Sequence, residues 1–140
     1  MAKNCRFAVA VHISTLLALG GGKPATSEWI SGSVNTNPVV VRRILSALAK
    51  AGLVRSTRGI NGGSVLAKPP ETITLLEINR AVDDEEVPSL HHQTPNQNCL
   101  VGREIQSVLI KVMGQATAAA DAVFATITLA EVVSDIHPKD

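Results

Sequence analysis

The chain has 140 residues, of which 45% are hydrophobic, with a mean hydropathy of +0.20 and a net charge of +1. This length supports one domain, or one domain with an appended segment, and the composition excludes a disordered chain. Two cysteines exclude a disulfide scaffold and are typical of the reducing cytoplasm, where we expect the protein to reside.

The small net charge conceals two oppositely charged halves. Through Lys68 the chain has nine lysines and arginines and one acid, Glu28, which gives a net charge of +8. From Pro69 onward it has four basic and eleven acidic residues, which gives a net charge of −7. This division predicts that only the first half of the chain contacts a polyanion.

The first predicted helix covers about Cys5 to Leu19. Its basic start and apolar run resemble a signal peptide, but polar residues interrupt the run and no small-residue cleavage site follows. The run is also too short to span a bilayer, so we expect no membrane partner. We predict a helix packed between other elements, in which His12 is a hydrogen-bonded core residue rather than a metal ligand.

Two further helices follow in quick succession. The first covers Ser27 to Val34, and we expect its Trp29 to lie in the core. The next begins after Asn37, a favoured N-cap, with Pro38 at the first helical position, and ends at Gly52. The short polar link between these helices predicts a helix-turn-helix whose second helix is presented outward.

The second helix of this pair has an apolar stripe and an unusual exposed side. The stripe can pack on a core and consists of Val41, Ile44, Leu45 and Leu48. The residues that fall away from the stripe are Val39, Val40, Arg42 and Arg43. Valines and arginines exposed together indicate a surface that another molecule covers.

A basic β-hairpin is predicted directly after this helix. Strands at about Leu53–Thr57 and Ser64–Ala67 flank a Gly-rich turn in which Asn61-Gly62 is the turn signal. A lone hairpin of this kind is usually an ordinary surface feature. Behind a helix sized for the major groove, it is typical of the wing of a winged helix-turn-helix.

The second half of the chain begins with a helix at Leu75–Val82. Thr74 and Glu77 form a capping box at its start. Residues 83–100 are polar, contain prolines and lack periodicity, which predicts a loop. Loops of this length in compact domains are often functional.

A long amphipathic helix is predicted from Val101 to about Ala125, with an apolar stripe roughly 36 Å long. The stripe consists of Val101, Ile105, Val108, Leu109, Val112, Ala116, Ala119 and Val123. A second copy of the same helix is the simplest cover for this stripe, so we predict a two-fold homodimer. A last helix begins with a second capping box at Thr128 and Glu131.

Several short motifs occur together in the chain. They are the run from Arg6 to His12, Thr36-Asn37-Pro38, Ala51-Gly52-Leu53-Val54, and the wing pairs Arg58-Gly59 and Gly62-Gly63. In this combination the chain resembles the Rrf2 family of bacterial winged-helix transcriptional regulators, which includes IscR, NsrR and CymR types. The resemblance covers nearly the whole chain. It implies a homodimer that binds a palindromic operator in double-stranded DNA, usually as a repressor.

The predicted fold is therefore mainly α with a small β-hairpin wing: a winged helix-turn-helix followed by a long C-terminal dimerisation helix. We divide the chain into three segments. Residues 1–82 form the DNA-binding domain and residues 83–100 a loop that serves as a sensor region. Residues 101–140 form the dimerisation helix and the C-terminal helix.

Residues from three parts of the fold are predicted to contact DNA. The arginines of the recognition helix neutralise phosphates or, in one case, read guanine, and its valines touch thymine methyl groups. The start of that helix faces a phosphate, the wing enters a narrow minor groove, and the first helix adds backbone contacts. The predicted residues are Lys3, Arg6, Thr36, Asn37, Val39, Val40, Arg42, Arg43, Arg58, Gly59 and Asn61.

Cys99 distinguishes this chain from the cluster-binding members of the family, which carry three cysteines ahead of the long helix. Here Cys99 is alone, and the nearby His91 and His92 make poor partners, so we expect no iron–sulphur cluster and no other cofactor. The segment resembles the single-cysteine, YwnA-like branch. The helix dipole and Arg103 favour a reactive thiolate, so Cys99 is either a redox or electrophile sensor or an inert, half-buried residue.

Two other classes of function compete with this interpretation. An enzyme would use Cys99 as nucleophile and His91 or His92 as base, but no motif fixes that geometry, so we expect no catalytic activity. A winged-helix module that binds protein without binding DNA is the stronger alternative. The basic first half of the chain argues against it.

Overall fold

The computed structural model describes residues 5–82 and 89–136. That part of the chain forms six α-helices, one antiparallel hairpin and a 3₁₀ turn at Pro70–Thr72. The elements are α1 (Arg6–Leu19), α2 (Ser27–Val34), α3 (Pro38–Lys50), β1 (Val54–Thr57), β2 (Gly63–Leu66), α4 (Leu75–Val82), α5 (Leu100–Thr126) and α6 (Leu129–Ile136). The predicted mainly α fold with a hairpin wing is confirmed.

The chain divides into two compact units, one containing residues 1–84 and 124–140 and the other residues 85–123. Helix α6 therefore belongs to the same unit as the helix-turn-helix, whereas the predicted division places it in one segment with the long helix. Its packing explains the difference. Leu129 is fully buried, and its N–H donates to the carbonyl oxygen of Ile73 at 2.8 Å.

The apolar core of the first unit surrounds α1, which contacts α2, α3, α4, α6 and β2. The expected packing of this helix between other elements is confirmed. The side chains with the least exposure come from five different helices and include Ile13, Ile30, Val41, Leu48, Ile78 and Leu129. This shared core fixes α3 on the domain and leaves its other side in solvent.

Two side chains lie elsewhere than predicted. His12 is exposed, and its Nε2 lies 2.9 Å from Oγ of Ser33, so the prediction of a core histidine is wrong. Trp29, also predicted in the core, is 58% exposed. Ile30 is the buried residue of α2, and its neighbour Trp29 is rotated from it by about 100° around the helix. A helix of two turns buries one narrow face, and Ile30 occupies it.

The hairpin is attached to the turn that precedes α2. Ala25 and Ser64 exchange two backbone hydrogen bonds, of 3.1 and 2.8 Å. A Cβ atom at Gly63 would lie 2.7 Å from the carbonyl oxygen of Ala25, and one at Gly62 would lie even closer to that of Thr57. Packing within the protein therefore requires both glycines, and the hairpin is held against the domain.

Helix α4 begins with the predicted capping box. The Glu77 N–H donates to Oγ1 of Thr74 at 3.2 Å, and Glu77 Oε1 accepts the Thr74 N–H at 3.1 Å. Nζ of Lys68 donates to Glu77 Oε2 at 2.8 Å. The bond from Lys68, followed by the contacts with Thr74, lowers the pKa of Glu77 despite its partial burial, which acts in the opposite direction.

We expect Glu77→Gln to destabilise the protein at neutral pH and to flatten its acid dependence. Glutamine keeps one oxygen to accept the Thr74 N–H, so the variant preserves the cap and removes the charge together with the bond from Lys68. Because the pKa is depressed in the folded state, the carboxylate stabilises the fold above its unfolded-state pKa, and this contribution disappears as pH falls through the folded-state pKa. The pair is partly exposed, so the difference at neutral pH should stay below about 1 kcal/mol.

Urea unfolding of both proteins from about pH 7 to about pH 3 measures this difference. The two free energies of unfolding should converge toward the acid end. A difference that stays constant across the range would contradict a role for the ionised carboxylate.

Helix α5 is largely exposed, although Ile105, Leu109 and Phe124 are half-buried. None of its side chains is buried, and the predicted stripe includes Val101, Val108, Val112 and Val123 at exposures from 52% to 65%. By length and composition it is the one described helix that could cross a membrane, a test that helices covered by protein also pass. Exposed apolar side chains in such a row are unfavourable in water, so we expect another molecule to cover the stripe.

Candidate nucleic-acid interface

The two helices of the helix-turn-helix are joined through residues 35–37. Asn35 ends α2 in the left-handed conformation at φ 62°, and its N–H donates to the Ser31 carbonyl oxygen at 2.8 Å. Asn37 begins α3, where its Oδ1 accepts the Val39 N–H at 2.8 Å. The role of Asn37 was predicted, whereas that of Asn35 was missed. The residue type alone could have indicated this role, because asparagine adopts the left-handed conformation more readily than most other residues.

One face of α3 points directly away from the core. The predicted apolar stripe is buried. Four other residues, spaced four, three and four positions apart along α3, lie on the opposite side of the helix. They are all exposed, and we call them the reading face: Val39, Arg43, Ser46 and Lys50. Two of the predicted contact residues, Val39 and Arg43, therefore lie at its centre, while Val40 and Arg42 flank it.

Arg42 is paired within the protein. Its Nη2 donates to Oε2 of Glu28 at 2.7 Å, and the two side chains are 54% and 67% exposed. Exposed pairs of this kind contribute little to stability, so the main consequence is that a carboxylate lies beside a predicted phosphate contact. Within the described residues, Arg43 makes no ion pair.

A groove lies between α3 and the hairpin. Arg42 lines it together with hydroxyl side chains, namely Ser27, Ser46, Ser56, Thr57 and Ser64. Serine and threonine hydroxyls donate to phosphate oxygens at protein–DNA interfaces. These hydroxyl residues were not predicted as contacts, because serines occur on any exposed surface and only the folded hairpin places β1 beside α3.

The tip of the hairpin carries the predicted wing residues. Arg58, Gly59 and Asn61 are all exposed. Gly59 has a φ of +109°, and its carbonyl oxygen accepts the Gly62 N–H at 3.0 Å, which closes the turn. Ile60 between them was not predicted as a contact, although it is fully exposed.

The remaining predicted contacts lie at two helix starts. Arg6 is exposed at the first position of α1, and Lys3 lies outside the described residues. Thr36 is half-buried. Because Asn37 uses its Oδ1 for capping, its amide group is the part that can donate to a phosphate.

Residues 4–135 match the Rrf2 family, described as iron-dependent transcriptional regulators. The chain belongs to the Rrf2 family. YwnA of Bacillus subtilis (strain 168), named as an HTH-type transcriptional regulator, is 41% identical over 133 residues, which cover 95% of this chain and 98% of YwnA. A crystal structure described as that of a DNA-binding protein is similar with a TM-score of 0.73 at 38% identity, covering 91% of this chain and 97% of that chain.

CymR, the global cysteine regulator of B. subtilis, has the same fold. Its structure gives a TM-score of 0.69 at 23% identity and covers 98% of this chain and 99% of that chain. Membership of the Rrf2 family confirms the predicted DNA-binding transcriptional regulator. It also decides against a thiol enzyme and against a winged-helix module that does not bind DNA.

The description of the Rrf2 family as iron-dependent raises the question of whether this chain can hold iron. Among the described residues, no three His, Cys, Asp or Glu side chains are placed to hold a metal ion. The whole chain has two cysteines, Cys5 and Cys99, whereas iron–sulphur clusters are usually held by four ligands. That this chain holds no iron–sulphur cluster stays a prediction.

Cys99 lies in a structured turn at the start of α5. Its N–H donates to the Asn96 carbonyl oxygen at 3.3 Å, and its own carbonyl oxygen accepts the Arg103 N–H at 2.9 Å. A Cβ atom at Gly102 would overlap the carbonyl oxygen of Asn96, so this glycine allows the turn to pack on the helix. Cys99 is exposed rather than half-buried. Residues 89–99 form neither helix nor strand, and residues 83–88 of the predicted loop lie outside the described residues.

We expect Glu28→Gln to strengthen binding to duplex DNA of arbitrary sequence. The change removes a carboxylate that repels phosphates and releases the guanidinium of Arg42 from its pair. Affinity at low salt should rise about threefold to tenfold, and the slope of log affinity against log salt should steepen by up to about one per protomer. Fluorescence anisotropy of a labelled duplex over a series of salt concentrations measures both quantities.

The matched control is Glu71→Gln, which removes the same charge from the exposed 3₁₀ turn. Equal effects of the two substitutions would mean that net charge alone is responsible. In that case the ion pair between Glu28 and Arg42 has no role in DNA binding.

Proposed function

We propose that this Rrf2 regulator is a homodimeric, sequence-specific repressor that binds a palindromic operator in double-stranded DNA. The observation that carries the proposal is the reading face, which presents two cations and a valine to solvent on a helix fixed to the core. The basic hairpin lies next along the chain and shares a groove with this helix. A helix of this kind fits the major groove, and a wing of this kind fits the neighbouring minor groove.

Each part of the interface has a proposed role. Arg43 donates two hydrogen bonds to a guanine, and Val39 contacts a thymine methyl group. Val40 flanks this contact, while Arg42 and the exposed groove hydroxyls of Ser46, Ser56 and Thr57 bind the phosphate backbone. Arg58, Gly59 and Asn61 occupy the minor groove. Thr36, Asn37, Arg6 and Lys3 complete the set of proposed backbone contacts.

The homodimer is proposed from the exposed stripe of α5. Two copies of α5 related by a two-fold axis cover each other's apolar residues and present two reading faces. Operators of such dimers have half-sites about 34–36 Å apart, one turn of the double helix. Lys111 lies near the middle of α5, where a charge is costly within a bilayer, so protein is the more favourable cover. A cytoplasmic location follows from the DNA partner.

The proposed function is tested by duplex binding at increasing salt, followed by selection of bound sequences from a random pool. We expect affinity for generic duplex to fall steeply with salt and the selected sequences to be palindromic. Transcription from a promoter that carries the selected site should fall when the protein is present. Binding that does not depend on salt, or selection without any enriched sequence, would overturn the proposal.

We also propose that Cys99 makes operator binding responsive to oxidants or electrophiles. Support comes from its exposure and from its position at the start of α5, the helix of the proposed dimer interface. Mild peroxide should modify Cys99, as measured by mass spectrometry, and change the affinity for the operator. Cys99→Ser should abolish the change. A Cys99→Ser protein that still responds, or a modified protein with unchanged affinity, would contradict this role.

A further inference from the structure

Ile60 occupies the most exposed position of any large apolar side chain among the described residues. It lies at the tip of the hairpin, and no other large apolar side chain between Val40 and Leu100 is exposed in the described part of the chain. Single exposed apolar residues are common and usually without function. The surroundings of Ile60 set it apart.

The tip that carries Ile60 is held in place. The Gly62 N–H bonds to the Gly59 carbonyl oxygen at 3.0 Å, and Ser56 and Ser64 share a hydrogen bond of 2.9 Å between their Oγ atoms. The bridge from Ser64 to Ala25 attaches the hairpin to the domain. Ile60 is therefore presented to solvent by a structured turn.

The neighbours of Ile60 indicate the chemistry of its partner. Arg58 and Asn61 flank it, and β1 adds the exposed Arg55, Ser56 and Thr57. A lone isoleucine among cationic and hydroxyl side chains is too small a patch for a protein interface. It matches the minor groove of DNA, whose negative potential attracts arginine and whose walls are the apolar faces of sugars.

We infer that Ile60 enters the minor groove at the flank of each half-site and favours base pairs that have no amino group on the floor of that groove. This inference rests on the proposed function and adds a specificity-determining residue to it. The amino group of guanine projects into the minor groove of a G·C pair, whereas A·T pairs lack it. An isoleucine between Arg58 and Asn61 contacts the groove more closely when that amino group is absent.

The test measures how the effect of Ile60→Ser depends on the flanking base pairs. The operator is first selected with the wild-type protein and then prepared with A·T, G·C or inosine·cytosine pairs at its flanks. Inosine·cytosine has the major groove of G·C but lacks the amino group in the minor groove. We expect Ile60→Ser to weaken binding about fivefold to tenfold on A·T and inosine·cytosine flanks and to have little effect on G·C flanks.

Two further variants separate the apolar contact from charge. Because an apolar contact releases no counterions, Ile60→Ser should leave the slope of log affinity against log salt unchanged, while Arg58→Ala should reduce it by about one per protomer. Ile60→Leu should retain most of the affinity. Ile60 is fully exposed and Arg58 is exposed, so none of these changes should affect folding.

An equal effect of Ile60→Ser on all three flanks, or no effect on any, would overturn the inference. So would a shift in the monomer–dimer equilibrium of the variant in sedimentation velocity, because Ile60 would then contact protein. If the wild-type protein bound no duplex in a salt-dependent way, the proposed function itself would fail, and the minor-groove contact with it.

Discussion

Arg43→Ala is expected to remove most of the sequence preference of the protein while leaving its binding to generic duplex nearly intact. Arg43 lies at the centre of the reading face and makes no ion pair among the described residues. A bidentate arginine–guanine contact contributes about 1–3 kcal/mol of discrimination, which corresponds to about fivefold to 150-fold in affinity. Because the proposed dimer has two such contacts, the loss on the full operator should be about the square of the loss at one half-site.

Two comparisons distinguish base recognition from charge at this position. Arg43→Lys keeps the charge but lacks the planar fork, so it should retain generic binding and lose specificity almost as Arg43→Ala does. Arg42→Ala should instead weaken binding to all duplexes by a similar factor, since Arg42 lies in the groove with the hydroxyl side chains. Anisotropy titrations with the selected operator and a scrambled duplex measure the ratio. If Arg43→Ala lowered both affinities equally, Arg43 would contact phosphate and not base.

Val112→Asp is expected to convert the proposed dimer into monomers and thereby to abolish high-affinity operator binding. Val112 belongs to the exposed stripe of α5, and a carboxylate there would be desolvated without a partner in the dimer. We expect the dimer dissociation constant to rise by more than about a hundredfold. Without the linked second half-site, operator affinity should fall by about a hundredfold to ten-thousandfold.

Helix α5 supplies its own control in Ile110. Ile110 is 58% exposed, similar to 52% for Val112, but it lies on the opposite side of the helix from the stripe. Ile110→Asp introduces the same charge and should leave the protein dimeric. Sedimentation velocity gives the oligomeric state, and titration with a full operator and a single half-site gives the affinities. A dimeric Val112→Asp protein, or equal dissociation of both variants, would rule out the stripe as the interface.

The helices that could be predicted best from the sequence are those whose ends are marked by a capping residue or by a glycine. Helix α3 begins at the Asn37 cap and ends just before Gly52 at φ +78°, and α4 begins at the capping box of Thr74 and Glu77. These signals act over a few residues and do not depend on the rest of the fold. The apolar stripe of α3 then determines its buried side, and the reading face follows from it.

Features that depend on tertiary contacts were missed or wrongly placed. A hydrophobic residue on a two-turn helix can lie on either side of the narrow buried face, which is why Trp29 was assigned to the core. The pairing of Arg42 with Glu28 joins residues fourteen positions apart on two helices. The groove hydroxyls come from several elements that only the fold brings together.

The attachment of the hairpin to the turn before α2 has a consequence for the operator. Because Ala25 and Ser64 tie the wing to the helix-turn-helix, the offset between the base pairs read by α3 and those touched by the wing is set within a single protomer. The separation of the two half-sites depends instead on how two protomers associate. An insertion between a half-site and its flank should therefore weaken the binding of even a single protomer, whereas an insertion at the operator centre should affect only the joint binding of two.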